Sequence, residues 1–248
     1  MDDRYLYIYG RHAVIEALQF RPDVITSISL RDDVRGEVSR ELLAQVKIVK
    51  TFRGDDIPRE IDKKAVHQGF IAKIDRQKLV LSYDQFKETL EVTNDSCLAI
   101  LGEVQDPHNV GAVIRSAAAF GVQAVLIPKH RQAGVTGTVV KVSAGMAFKL
   151  PLVEVGNVNR VLEDMKKEGF FVYGLDGGGD TQLTTEQFTK PTLFVLGNEG
   201  DGLRAKTKEH CDMILSIPMH AQCESLNASA SAATVFYQWS AQHPDALQ

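Results

Sequence analysis

Apolar residues fall along this chain in two kinds of run, one at helical spacing and one continuous. Ala13, Val14, Ala17 and Leu18 recur every three or four positions and predict a helix over 10–20. Residues 23–30 (DVITSISL) are β-rich and predict a strand. Residues 36–46 predict a second helix, and 47–52 and 69–74 two further strands. Together they predict a compact α/β unit over 1–75. Residues 76–96 are mixed and amphipathic and end in a polar cluster at 93–96, so the linker is placed there. From Cys97 the alternation is clearer. Residues 97–104 form an unbroken apolar run, as expected of a strand covered on both faces. A helix over 109–122 follows, stopping at Gly121, and then a strand at 124–128. Helices are expected over 136–148, 157–169 and 225–242, and buried strands at 170–175, 192–197 and 213–218. Strands alternating with helices predict a parallel sheet flanked by helices over 97–248.

Composition narrows the class. Of 248 residues, 44% are hydrophobic and 24% charged, enough to bury a core without disulfide or metal staples. No apolar run has the length of a membrane helix, and the first ten residues are acidic and lack a signal-peptide core. A cytoplasmic protein with no membrane association is expected. The net charge of −4 excludes a strongly basic nucleic-acid binder, though a local patch is enough to meet RNA phosphates. Cys97, Cys211 and Cys223 form no CxxC pair and are expected as free thiols, and no zinc-ligand spacing is present.

Parallel α/β sheets bind ligands at the carboxyl ends of their strands, and three such ends are rich in polar residues or glycine. In the first, Asp106, Pro107, His108 and Asn109 stand between strand and helix, with Arg115 six residues beyond Asn109. Asp106 or Asn109 either caps the helix or serves a site, and Arg115 is suited to holding a phosphate bidentately. The second runs from a buried strand into Gly197, Asn198, Glu199 and Gly200, which is neither a Walker loop nor a dinucleotide fingerprint. By itself it is equally a tight turn. In the third, Ile217-Pro218 leads to Ser225-Leu226-Asn227 and a helix of small residues, where a cap alone explains one of the polar side chains.

In this order the three segments resemble the motifs of the SpoU (TrmH-like) RNA ribose 2'-O-methyltransferases of the SPOUT class. The resemblance covers about 97–240. YGRHAVIEAL at 9–18 and AVHQGFIA at 65–72 are similar to the family's small RNA-binding domain and point to its branch acting on guanosine of large-subunit (23S) rRNA. The resemblance implies an α/β fold with a deep trefoil knot at its C-terminal side, and a homodimer whose last helix, with Phe236, Tyr237 and Trp239, contributes to the interface or simply packs in the core. It implies that S-adenosylmethionine is held largely by main-chain groups at Leu196, Gly197, Ile217, Pro218 and Leu226. It implies catalytic roles for Asn109, Arg115, Glu199, Ser225 and Asn227, with Arg115 acting on the proton of the ribose hydroxyl or on the RNA phosphate. The partner would be 23S rRNA or the assembling large ribosomal subunit, and not DNA. Arg11, His12, His67 and Gln68, with Lys129, His130, Arg131, Lys141 and Lys149, are the candidate RNA contacts; Gly177, Gly178 and Gly179 read as a flexible connection. Two alternatives stand beside this reading: a tRNA 2'-O-methyltransferase of the same family, and a noncatalytic RNA-binding module of ribosome assembly.

Overall fold

The structure is a computed structural model and describes residues 4–54, 57–59, 61, 64–198, 202–223 and 225–248. In chain order the elements are β1 (Tyr5–Tyr9), α1 (Arg11–Phe20), β2 (Ile25–Arg31), α2 (Arg40–Ala44), β3 (Val49–Phe52), β4 (Phe70–Asp75), α3 (Arg76–Leu79), β5 (Val80–Ser82) and α4 (Tyr83–Thr89). There follow β6 (Cys97–Leu101), α5 (Pro107–Ala119), β7 (Ala124–Pro128), α6 (Gly137–Val142), β8 (Leu152–Val155), α7 (Val158–Lys167), β9 (Phe171–Leu175) and β10 (Thr181–Gln182). The last are β11 (Thr192–Leu196), α8 (Ala205–Glu209), β12 (Met213–Ser216) and α9 (Ala228–Ser240). The chain divides into two compact units: 1–80 with 135–149, and 81–134 with 150–248.

The first unit is a four-stranded sheet in the order β1-β4-β2-β3, with β1 antiparallel to β4, β4 antiparallel to β2, and β2 parallel to β3. Ala13, Val14, Ala17 and Leu18 are all buried, as their spacing requires. The strand β1 lies at the sheet edge, and α6 packs on it. Gly137 begins α6 where any Cβ would collide with the Tyr7 carbonyl oxygen. Residues 135–149 also reach α1: the Lys149 ammonium pairs with Glu16 at 2.8 Å, and a ring nitrogen of His12 meets the Ala144 carbonyl at 2.9 Å. An exposed edge invites pairing with other chains, and here a helix covers it.

The second unit is an eight-stranded sheet in the order β10-β12-β9-β11-β6-β7-β8-β5, parallel at every pairing from β10 to β8. Every residue of β6, β7 and β11 is buried, which is why these strands read as unbroken apolar runs. One side carries a core of Phe86, Leu98, Ile100, Leu126, Val161, Leu162, Met165 and Leu193 under α4 and α7. The helices α5 and α9 pack against each other. Asp106 caps α5 by accepting from the His108 N–H at 2.9 Å, Pro107 takes the first helical position, and Gly121 stops the chain at φ +75°.

The continuous and helical patterns find their elements, but β1 and β8 carry no clear alternation and were not expected. Residues 76–96 hold α3, β5 and α4, and Ser82 and Gln85 close a capping box on α4. Residues 36–46 form only a short 3₁₀ turn and the five-residue α2. Among the described residues no helix is long and apolar enough to cross a membrane.

Candidate cofactor and active site

The site grows from the carboxyl ends of β9, β11 and β12. A cavity of about 380 Å³ opens there, lined by apolar Leu175, Leu196, Leu215, Ile217, Met219 and Leu226. Asp176, Asn198, Ser225 and Ser231 are its polar side chains, and Gly177, Gly178, Gly197 and Gly202 present bare backbone. Of the expected cofactor residues, Leu196, Gly197, Ile217 and Leu226 line this cavity; Pro218 is not among the lining residues, and Ser225 lines it as well. Gly197 has no spare room: a Cβ there would lie 2.6 Å from the Gly202 carbonyl carbon. Leu226 is 36% exposed at the cavity wall.

The two asparagines meet. Asn227 Nδ2 donates to Asn109 Oδ1 at 3.0 Å, joining the start of α9 to the first turn of α5. Asn109 is 8% exposed, while Asn227 caps α9: its Oδ1 accepts from the Ser229 N–H at 2.9 Å, the Ala230 N–H at 3.3 Å and the Ser229 hydroxyl at 2.6 Å. That oxygen is therefore fully engaged, and Asp106, not Asn109, is the cap of α5. Arg115 is exposed on α5 and forms no ion pair with any described residue. Six residues separate it from Asn109, roughly 9 Å of helix rise. Glu199 lies outside the described residues, so the expectation for it has no structural counterpart here.

Asp176 was not singled out from the sequence. Its Oδ2 lies 2.7 Å from Lys208 Nζ and accepts from the Leu203 N–H at 3.3 Å, while its Oδ1 accepts from the Gly178 N–H at 3.0 Å. Burial pushes this carboxyl up, but the Lys208 ammonium and the two amides outweigh it and hold the group below the usual carboxylate range. The three-glycine stretch that read as a connection supplies part of the cavity wall through Gly177 and Gly178.

A second cavity of about 400 Å³ shares Asn198 and Gly202 with the first and lies beyond the ends of β6, β7 and β8. His130, Arg131, Arg204 and Lys206 line it, and Arg204 pairs with Glu103 at 2.6 Å. Other expected RNA contacts have partners within the chain: Lys129 with Glu154 at 3.3 Å, Lys149 with Glu16, Arg11 with Glu37 at 2.8 Å, and Lys141 with its ammonium 5.0 Å from the Tyr9 ring centroid. All three cysteines are free. Burial raises the Cys97 thiol and pushes Cys211 up to about 12, so neither is a thiolate nucleophile at neutral pH. Among the described residues no group of three or more His, Cys, Asp or Glu is placed to hold a metal ion.

The first cavity suits a purine nucleoside. Leucine and isoleucine walls accept a flat ring, glycine backbones accept and donate along its edge, and the carboxylate and hydroxyls suit sugar and amino-acid groups. Comparison with known proteins agrees with that chemistry. Residues 96–237 match the model of the SpoU rRNA Methylase family, and residues 7–80 match RNA 2'-O ribose methyltransferase substrate binding. The chain is 38% identical over 231 residues to a 23S rRNA (guanosine-2'-O-)-methyltransferase RlmB of Neisseria meningitidis, covering 92% of each protein. It is likewise 38% identical over 237 residues to the RlmB of Pseudomonas aeruginosa, covering 93% of this chain and 94% of that one. Among solved structures, the SpoU methyltransferase AviRb from Streptomyces viridochromogenes, in complex with AdoMet, superposes with a TM-score of 0.80 at 25% identity, over 97% of this chain and 91% of that one. With a family match over 96–237 and a relative 38% identical across 92% of the chain, the chain belongs to the SpoU rRNA methylase family.

Proposed function

We propose that this chain transfers the methyl group of S-adenosylmethionine to the ribose 2'-hydroxyl of a guanosine in 23S rRNA. The observation that carries the target is the end-to-end likeness to proteins named for that reaction, which spans both units. The cavity at Leu196, Gly197, Ile217 and Leu226 carries the cofactor, with Pro218 beside it in sequence. When bound, S-adenosylmethionine supplies a methyl group already activated by its sulfonium.

The chain's own residues then have three tasks. Asn227 and Asn109 lock the starts of α9 and α5 together, so that groups on the two helices keep a fixed spacing while RNA binds. Ser225, exposed at the cavity, offers a hydroxyl to the incoming ribose or phosphate. Arg115 holds an RNA phosphate, and that phosphate or a water ordered by it takes the 2'-hydroxyl proton, because a guanidinium does not give up its own proton at neutral pH. Glu199 positions the ribose or braces the knot. The protein works as a cytoplasmic homodimer paired through α9, where Tyr237 is 61% exposed.

The test is methyl transfer from labelled S-adenosylmethionine into 23S rRNA, 16S rRNA and tRNA lacking the modification, and into immature large subunits. Label in 23S rRNA or in the immature subunit is the expected result. Label confined to tRNA would overturn the target and keep the chemistry, and S-adenosylmethionine binding without transfer to any of these RNAs would overturn the enzymatic reading.

A further inference from the structure

Asp176 follows the last residue of β9 and does more than line the first cavity. Its N–H donates to the Leu215 carbonyl at 3.1 Å, extending the pairing of β9 with β12. Its carbonyl accepts from the Gly179 N–H at 3.1 Å and closes a turn over Gly177 and Gly178. Its side chain then ties three places together: the Gly178 amide within that turn, the Leu203 amide beyond β11, and the Lys208 ammonium on α8. The partner loop is shaped to receive it. Gly202 has φ +64°, and a Cβ there would sit 2.5 Å from Asp176 Oδ2, so a side chain at 202 would expel the carboxylate. The Asn198 N–H donates to the Gly202 carbonyl at 3.2 Å, next to Leu203. Asp176, Gly177 and Gly178 thus form one wall of the cavity, and Gly197, Asn198 and Gly202 form another.

We propose that Asp176 is a positioning residue for the cofactor, holding the glycine turn after β9 and the backbone at Gly202 and Leu203 at the separation that admits S-adenosylmethionine. The proposal rests on the cofactor reading above. Consecutive glycines lose more backbone freedom on ordering than any other residues. Without the carboxylate, the turn at 177–178 keeps no side chain to order it, and the Leu203 amide loses its acceptor. The ordering cost then falls on ligand binding. Asp176 touches loop groups and α8, so its loss is felt in affinity and not in the chemical step.

The experiment measures affinity for S-adenosylmethionine and S-adenosylhomocysteine by calorimetry, together with KM for S-adenosylmethionine, kcat and thermal melting. The proteins are the parent, Asp176→Ala, Asp176→Asn and Lys208→Met. Asp176→Ala should weaken both ligands by about tenfold or more and raise KM in parallel, with kcat at saturation within about threefold of the parent. Asp176→Asn keeps an acceptor oxygen and should fall between the two. Lys208→Met, which removes only the ion pair, should cost about two- to threefold. A folded Asp176→Ala that binds S-adenosylmethionine within about twofold of the parent overturns the proposal, as does a fall in kcat at unchanged KM. If Asp176→Ala does not fold, Asp176→Asn and Lys208→Met decide the matter: parent-like affinity in both overturns it. A parent that binds no S-adenosylmethionine overturns the cofactor reading itself, and this proposal with it.

Discussion

Two residues of the same helix separate structure from chemistry. Asn109 is buried and bonded to Asn227, whose side-chain oxygen is saturated by the start of α9. Asn227→Ala therefore removes a helix cap and a helix–helix link. The expected loss is about 1–2 kcal/mol from the cap and its link, or roughly 2–8 °C in melting temperature, together with a drop in methyl transfer. Arg115 is exposed and touches no charged group among the described residues. Arg115→Ala should melt within about 0.5 kcal/mol of the parent yet transfer methyl groups about 10²-fold more slowly or worse. A melt that falls with activity in Arg115→Ala would recast it as a structural residue. Asp176 adds a pH statement. Its carboxyl titrates lower in the folded chain than in the unfolded one, so what its charge contributes is fully present above the ordinary aspartate value of about 3.9 and is lost only as pH falls below it. Affinity for S-adenosylmethionine attributable to Asp176 should be flat from about pH 5 to 8, which calorimetry at several pH values checks; a parent-specific loss near pH 6, absent in Asp176→Asn, would contradict that.

At the scale of elements, what was legible and what was not have distinct physical causes. The strands β6, β7 and β11 were readable because burial on both faces leaves an unbroken apolar run, and β9 and β12 from short apolar runs, although β12 is fully buried only at Leu215. The helices α1, α5, α7 and α9 were readable from their spacing and from Gly121 and Gly169 at or beyond their ends. The strands β1 and β8 were not, since each is short and β1 alternates tyrosine with Leu6 and Ile8, apolar on both faces. Nothing local told that 135–149, far from the N-terminus in sequence, packs with residues 1–80. At Gly137 the missing side chain lets α6 approach the Tyr7 carbonyl. Gly137→Val should cost more than about 2 kcal/mol and expose 135–149 to amide exchange and proteolysis. Parent-like stability and protection would show that α6 does not seal the edge of β1. Three motifs of the site were legible as residue types, but the contact between Asn109 and Asn227, 118 positions apart, and the role of Asp176 depend on tertiary geometry.

The whole molecule pairs a small four-stranded sheet bearing the substrate-binding match with a parallel sheet whose strand ends carry the cofactor cavity. A mildly acidic chain is compatible with an RNA substrate because its second cavity gathers His130, Arg131 and Lys206 locally, with Arg204 paired to Glu103 on the same wall. Binding that depends on such phosphate contacts weakens with salt, with a slope set by their number. Affinity for 23S rRNA should therefore fall steeply between about 50 and 200 mM salt, and Lys206→Ala should shallow that slope by about one contact. An unchanged slope would place the RNA elsewhere. The most direct measurement of the central claim is the position and chemistry of the transferred methyl group. Label from S-adenosylmethionine is moved into unmodified 23S rRNA or the immature large subunit, and the RNA is digested in alkali, which cannot cut at a 2'-O-methylated ribose. One alkali-resistant dinucleotide whose methylated member is guanosine is expected, absent when Arg115→Ala replaces the parent. Label released as a base-methylated mononucleotide, or found in tRNA alone, would contradict it.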